Sequence, residues 1–231
     1  MEYKGKDVLE LMIIAKNYNN AIIDLCLKNI KKNTDTILDF GAGIGTLSEI
    51  FRKKKYNVEC IETDENLIDI LNDKGFKTNS TFDCYVDNSI QNIISFNVFE
   101  HIYNDVEILN EIYKKLSING KFFLFVPAHK FLYSSFDKRL GHFRRYNKKE
   151  LEYILKDCGY KIEKSFYFDS LGLIFALIYK LLNKDGTILE CQIKLYDKFV
   201  YPVSRIIDYI TLGLFGKNLV FVLSKDENDK Y

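Results

Sequence analysis

The chain has 231 residues, 47% of them hydrophobic and 28% charged, which is the balance of a folded globular protein and excludes a disordered one. Its formal net charge of +1 gives no global pull toward nucleic acid or acidic surfaces. The length suits one α/β domain with a full core and an appended subdomain. The five cysteines, Cys26, Cys60, Cys84, Cys158 and Cys191, are scattered without a CxxC pair. Neither a disulfide framework nor a metal site is expected, and a reducing cytoplasm is the simplest setting. The charged start "MEYKGKDVLE" does not read as a signal peptide, and no apolar run reaches the ~18 residues of a membrane span.

In chain order, residues 7–16 and 19–31 read as helices, with Ala21, Ile22, Leu25, Cys26 and Ile30 at helical apolar spacing. "TILDF" is a strand that runs into a glycine-rich turn, and 46–55 is the helix after it. "NVECIE" is a second strand, and "ENLIDILNDKG" a helix that a glycine ends. Residues 76–88 are poorly patterned. "IQNIISFN" is a strand, "DVEILNEIYKKLSING" a helix predicted to end at Gly120, and "KFFLFVP" a strongly apolar strand. "AHKFLYSSFDKRLGHFRRYN" has no clean period, "KKELEYILKDCGY" is a helix, and "KIEKSFYF" and "NLVFVLS" (218–224) are strands. Continuous apolar strands separated by helices imply a doubly wound, mostly parallel sheet buried on both faces. The expected organisation is N-terminal helices over 1–33, a Rossmann-like domain over 34–168 and 217–225, and a helical cap inserted over 169–216 before the last strand.

The turn "DFGAGIGT" sits between a strand and a helix, where doubly wound sheets bind nucleotide-like ligands. Gly41, Gly43 and Gly45 make G-x-G-x-G, and Thr46 stands where a dinucleotide fingerprint places its third glycine. An NAD-dependent oxidoreductase is therefore the second-ranked reading. A Walker loop is excluded because no Gly-Lys-Ser/Thr follows. Asp39 sits awkwardly for a pyrophosphate and suits a cofactor with a cationic amine. Glu62, at the end of the second strand, is placed to accept both hydroxyls of a ribose.

As a set, "ILDFGAGIGTLSEIF", Glu62 in "VECIETD", "ISFNVFEHI", "LSINGKFFLFVP" and "NLVFVLSK" resemble a class I S-adenosylmethionine-dependent methyltransferase of the small-molecule group. The resemblance implies a seven-stranded Rossmann-like fold, with S-adenosyl-L-methionine as cofactor and S-adenosyl-L-homocysteine as product. It implies that Asp39 and the loop Gly41, Ala42, Gly43 and Gly45 hold the methionine part. Glu62 would hold the ribose with Thr63 beside it, and Asn97 would line the site. The third-strand region departs from the pattern, leaving Ser80, Thr81 and Asp83 as open candidates for the adenine amine. A non-catalytic domain that binds the same cofactor is the third reading.

His101 and His129 follow the fourth and fifth strands, and so map to the carboxyl edge of the sheet. The motif "GHFRRY" and the upstream "NYN" around Tyr18 extend the resemblance to the acceptor side. His142 and His101 are the candidate catalytic residues, His142 as a general base. Tyr18, His129, Arg144, Arg145 and Tyr146 are the candidate acceptor contacts, with an Arg fork matching a phosphate or carboxylate. Asp137 would orient His142 or pair with an Arg. The cap helix "SLGLIFALIYKLL" is apolar almost all round, as in deep burial or lipid contact. The expected partner is a small-molecule or lipid-linked acceptor rather than nucleic acid, with peripheral membrane contact through the cap as the second use of that surface.

Overall fold

The apolar runs assemble into one seven-stranded sheet in the computed structural model, which describes residues 5–32, 36–182 and 185–226. The strands are β1 (Thr36–Phe40), β2 (Asn57–Ile61), β3 (Lys77–Asn79), β4 (Ile90–Phe96), β5 (Leu116–Pro127), β6 (Lys161–Phe168) and β7 (Asn218–Ser224). Their order is β3-β2-β1-β4-β5-β7-β6. β1 to β5 pair in parallel, while β7 runs antiparallel between β5 and β6. The winding direction reverses between β1 and β4, which opens a crevice beyond their carboxyl ends.

Alternation along each strand explains why both faces are buried. Ile37, Ile94, Phe123, Phe125, Val220 and Val222 pack on one face against α2 (Lys16–Leu27) and Phe51 of α3 (Thr46–Lys53). Leu38, Ile93, Phe122, Leu124, Leu219 and Phe221 pack on the other, against Leu109 and Ile112 of α5 (Asp105–Lys115) and Leu151 and Leu155 of α7 (Lys148–Asp157). The remaining helices are α1 (Lys6–Met12), α4 (Glu65–Asp73), α6 (Ser135–Leu140), α8 (Ser170–Leu182), α9 (Glu190–Leu195) and α10 (Tyr201–Ile210). The Asp64 carboxylate caps α4 by accepting from Leu67 N at 3.2 Å, a contact of a type worth about 1 kcal/mol.

Several boundaries differ from the sequence reading. The helix expected to reach Gly120 ends at Lys115, because Leu116 is drawn into the core and pairs with Ile90. The pairing then jumps to Asn92 with Lys121, so residues 117–120 bulge out of the strand. Gly120 serves that bulge, not a helix end, since a Cβ there would lie 2.7 Å from the Ser117 carbonyl oxygen. The poorly patterned stretch holds only the three-residue β3, and the aperiodic stretch after β5 holds α6. The first two helices are shorter than expected, and the 33/34 domain boundary lies outside the described residues. The segment before β7 holds α8, α9 and α10, the last two joined by a π-helical turn, Tyr196–Val200.

Candidate active site

The glycine turn crosses the carboxyl end of β1 with all three glycines in the left-handed region, at φ of 76°, 58° and 78°. At Gly41 a side chain is also sterically barred, because a Cβ would stand 2.3 Å from Val98 Cγ2. At Gly45, the residue before α3, a Cβ would meet Leu71 Cδ2 at 2.8 Å. The turn is anchored on both sides: Gly41 N donates to the Ile61 carbonyl at 2.8 Å, and Lys74 Nζ to the Ile44 carbonyl at 2.7 Å. Leu9 of α1 stands over Gly43, its Cδ1 3.3 Å from where a Cβ would be. The N-terminal helix therefore lies across the loop.

Two carboxylates frame this turn. Glu62 is half-buried and faces the loop rather than the interior, its Oε2 accepting from Gly43 N at 2.8 Å. Its Oε1 accepts from Thr63 N at 2.8 Å and Asp64 N at 3.2 Å. Asp39 is buried beneath the turn and accepts a 2.5 Å hydrogen bond from Ser48 Oγ of α3. Burial pushes its carboxyl up to about 7; the Ser48 bond opposes that rise and the Glu62 charge adds to it. Main chain stripped of side chains, with an acceptor carboxylate over it and a second acid below, fits a ligand that combines a ribose with a cationic amino acid. It does not fit a pyrophosphate, which two carboxylates would repel. Asn97, exposed at the exit of β4 with φ of 53°, lies at the same edge. Thr81 and Asp83, two of the open adenine candidates, bond to each other at 2.8 Å in the turn after β3.

The second group of residues gathers beyond β4 and β5. Segment 143–146 is stitched to both exits: Phe143 N donates to the Glu100 carbonyl at 2.7 Å, and Tyr146 N to the Pro127 carbonyl at 2.9 Å. This brings His142 against His101, their rings edge to face with centroids 4.5 Å apart. His142 Nδ1 lies 2.8 Å from Asp137 Oδ1, so the ring donates there and leaves its Nε2 facing Glu100. Arg145 Nε donates to the same Asp137 oxygen at 2.8 Å. Burial works to raise the Asp137 pKa, but the His142 bond and the Arg145 charge outweigh it and hold it at about 2. Burial first, then the neighbouring His142, depress His101 to about 3, so its imidazole is neutral. Glu100 has no exposed surface, and burial pushes it up to about 8. Sequence reasoning assigned no role to Glu100, Ser48 or Val98. The only sign of Glu100 was its place beside His101 after an apolar strand.

Other expected acceptor contacts are engaged within the fold. Arg144 pairs with Asp105 at 3.0 Å and donates to the Tyr103 carbonyl at 2.7 Å. Tyr146 is buried, its hydroxyl donating to Asp105 Oδ2 at 2.7 Å. His129, at φ of 64°, donates from Nε2 to the Gly216 carbonyl at 3.0 Å and stacks on Tyr167. Tyr18 is buried, and its hydroxyl accepts from Asn218 Nδ2 at 2.9 Å. It ties α2 to the start of β7 and packs edge-on against Tyr201 of the cap. The side chains of these residues are thus held by partners within the fold.

Residues 14–165 match the family model described as a methyltransferase domain. Over 115 residues the chain is 29% identical to the C-methyltransferase NovU of Streptomyces niveus, covering 46% of this chain and 27% of that protein. The chain thus spans about a quarter of that relative's length. Among solved structures, a SAM-dependent methyltransferase from Archaeoglobus fulgidus superposes with a TM-score of 0.59 at 16% identity, covering 90% of this chain and 94% of the other. Phosphoethanolamine N-methyltransferase 2 of Haemonchus contortus, solved with S-adenosyl-L-methionine, gives 0.59 at 18% identity, covering 91% and 53%. Geranyl diphosphate C-methyltransferase from Streptomyces coelicolor, solved with Mg2+, geranyl diphosphate and S-adenosyl-L-homocysteine, gives 0.61 at 10% identity, covering 89% and 79%. At these identities the structural likeness establishes the fold.

Proposed function

Since the chain belongs to the methyltransferase-domain family, we propose that it transfers a methyl group from S-adenosyl-L-methionine to a small or lipid-linked acceptor at the carboxyl edge of the sheet. The observation that carries this is the bare glycine turn with Glu62 bonded to Gly43 N. The bound cofactor would supply a sulfonium-activated methyl, which leaves by in-line displacement. The loop Gly41, Ala42, Gly43 and Gly45, with Asp39 below it, would hold the amino-acid part, and Glu62 the ribose, with Thr63 beside it. Asn97 and the turn after β4 would bound the methyl. The chain's own work is then positioning and exclusion of water, since an aligned displacement needs little else. Calorimetric titration tests the cofactor. S-adenosyl-L-methionine should bind with micromolar affinity at one equivalent, and NAD should give no saturable heat. The opposite pattern would replace this reading with the oxidoreductase one.

The cap supports a lipid-linked acceptor. Sixteen of the 24 exposed large hydrophobics among the described residues fall between Ile174 and Phe215. They include Leu181 and Leu182 of α8, Leu195 at the end of α9, Ile206 and Ile210 of α10, and Leu212 and Leu214 beyond it. So many exposed apolar residues in one 42-residue segment mark a candidate interaction surface. Lys180, Lys194, Lys198 and Arg205 are exposed among them, the mixture that suits an anionic bilayer surface. Lys180 Nζ donates to the Phe131 carbonyl, so the apolar face continues onto the turn after β5, beside the acceptor crevice. Among the described residues no helix is long and apolar enough to cross a membrane, so such contact would be peripheral. The chain should float with phosphatidylglycerol vesicles, and Leu182→Asp/Leu212→Asp should stay at the bottom of the gradient. Both sites are more than three-quarters exposed, so folding should be unaffected. Equal sedimentation of both proteins, with the wild type dimeric in solution, would instead make the cap an interface between copies.

A further inference from the structure

Glu100, His101 and His142 are brought to one point by two separate connections, the turn after β4 and the turn after α6. One donor atom from each lies within 4.8 Å of the other two. Glu100 is fully buried, yet neither carboxylate oxygen has a hydrogen-bond partner. Burying such a group without a partner is costly. A fold that keeps it there invites a ligand that satisfies it. The nearest imidazole atom, His142 Nε2, stands 4.0 Å from Glu100 Oε1, too far for a hydrogen bond.

The surroundings of His142 narrow the ligand further. Asp137 accepts the hydrogen bond from Nδ1, which leaves Nε2 turned toward Glu100. Asp137 is itself locked by Arg145 Nε and by Ser134 N, each at 2.8 Å. A carboxylate behind the far nitrogen of an imidazole is the arrangement that orients metal-binding histidines. We propose that Glu100, His101 and His142 form a binding site for one divalent transition-metal ion, with zinc the best match to two imidazoles and one carboxylate. Bonds of about 2.0–2.2 Å to a tetrahedral ion set its donors ~3.4 Å apart. The three side chains therefore close inward by less than about 1.5 Å from their 4.0–4.8 Å spacing. The scattered cysteines, which led the sequence reading to expect no metal, speak only of thiolate sites.

An ion bound by three side chains keeps an open position, in which it would hold and acidify an oxygen of the acceptor. That role rests on the methyl-transfer reading. Ion binding does not, and it can be measured on the full chain without cofactor or acceptor. The chelator-treated protein is titrated with Zn2+, and with Co2+ for its visible absorption. One equivalent should bind with sub-micromolar affinity and raise the thermal midpoint. Glu100→Gln and His142→Ala should each weaken binding at least 100-fold, and Asp137→Asn about 10- to 100-fold. Cys84 and Cys191 are exposed and could capture zinc on their own, so Cys84→Ser/Cys191→Ser is titrated alongside and should bind like the wild type. Should His142→Ala fail to fold, Glu100→Gln carries the test, because it keeps the shape and removes only the carboxyl that can ionise to meet the ion. The proposal is overturned by the absence of saturable binding, by unchanged affinity in Glu100→Gln, or by loss of binding in the cysteine variant.

Discussion

Replacing Glu62 with alanine is expected to weaken S-adenosyl-L-methionine binding at least 100-fold while lowering stability only modestly. The two effects separate because the carboxylate does two jobs. In the protein alone it accepts from Gly43 N, Thr63 N and Asp64 N. Glu62 is only half-buried, so water can take over those amides, and the loss should be about 1–2 kcal/mol. Toward a ribose the same carboxylate would accept from two hydroxyls at once. Charge-assisted bonds of that kind are worth about 1.5–3 kcal/mol each, and about 2.8 kcal/mol already corresponds to ~100-fold in affinity. Glu62→Gln is the finer probe, since its amide group would confront the Gly43 or Thr63 N–H with a donor. Calorimetry and thermal denaturation on the same samples distinguish the outcomes. Wild-type affinity in Glu62→Ala would remove Glu62 from the cofactor site and with it the main support for the methyl-donor reading.

How much of this was legible in the sequence varied with how local the signal is. The glycine turn was readable because one strand, three left-handed residues and one helix lie within eighteen residues of chain, 36–53. β4 and β7 were readable because their apolar runs are long. The α5–β5 junction was misplaced because Leu116 continues the apolar period of the helix, and only its pairing with Ile90 decides for a strand. β3 has three residues, too few for any period. The roles of the cationic loop were hidden for a different reason. Arg144 finds Asp105 about forty residues upstream, and the loop reads as a ligand site until that partner is known. The Glu100–His101–His142 cluster is of the same kind. Its members are adjacent only because Phe143 N is bonded to the Glu100 carbonyl, a contact that no spacing rule predicts.

The second large effect concerns pH and Asp39. Its folded pKa is raised by burial to about 7, from an unfolded value of about 3.8. Between those values the folded protein holds a proton that the unfolded chain has lost, so stability falls as pH rises. The favourable contribution is complete below about pH 4 and is lost as pH passes 7. A rise of that size corresponds to about 4 kcal/mol, an upper figure that local relaxation reduces. Asp39→Asn keeps an acceptor for Ser48 Oγ and removes the charge. The wild-type-minus-variant difference in unfolding free energy should therefore move by about 2–4 kcal/mol in the variant's favour between pH 4 and pH 8. Taking that difference cancels the other buried acids, Glu100 among them, which titrate in both proteins. Ligand binding should report the same group from the other side. A cationic amino acid placed above Asp39 favours its ionised form, so S-adenosyl-L-methionine binding at pH 6 should release a proton. Titrations in buffers of different ionisation enthalpy would then differ for the wild type and agree for Asp39→Asn. A flat stability difference, together with buffer-independent heats in the wild type, would mean that Asp39 remains charged beneath the turn. Its burial would then be balanced entirely by Ser48 and the neighbouring main chain.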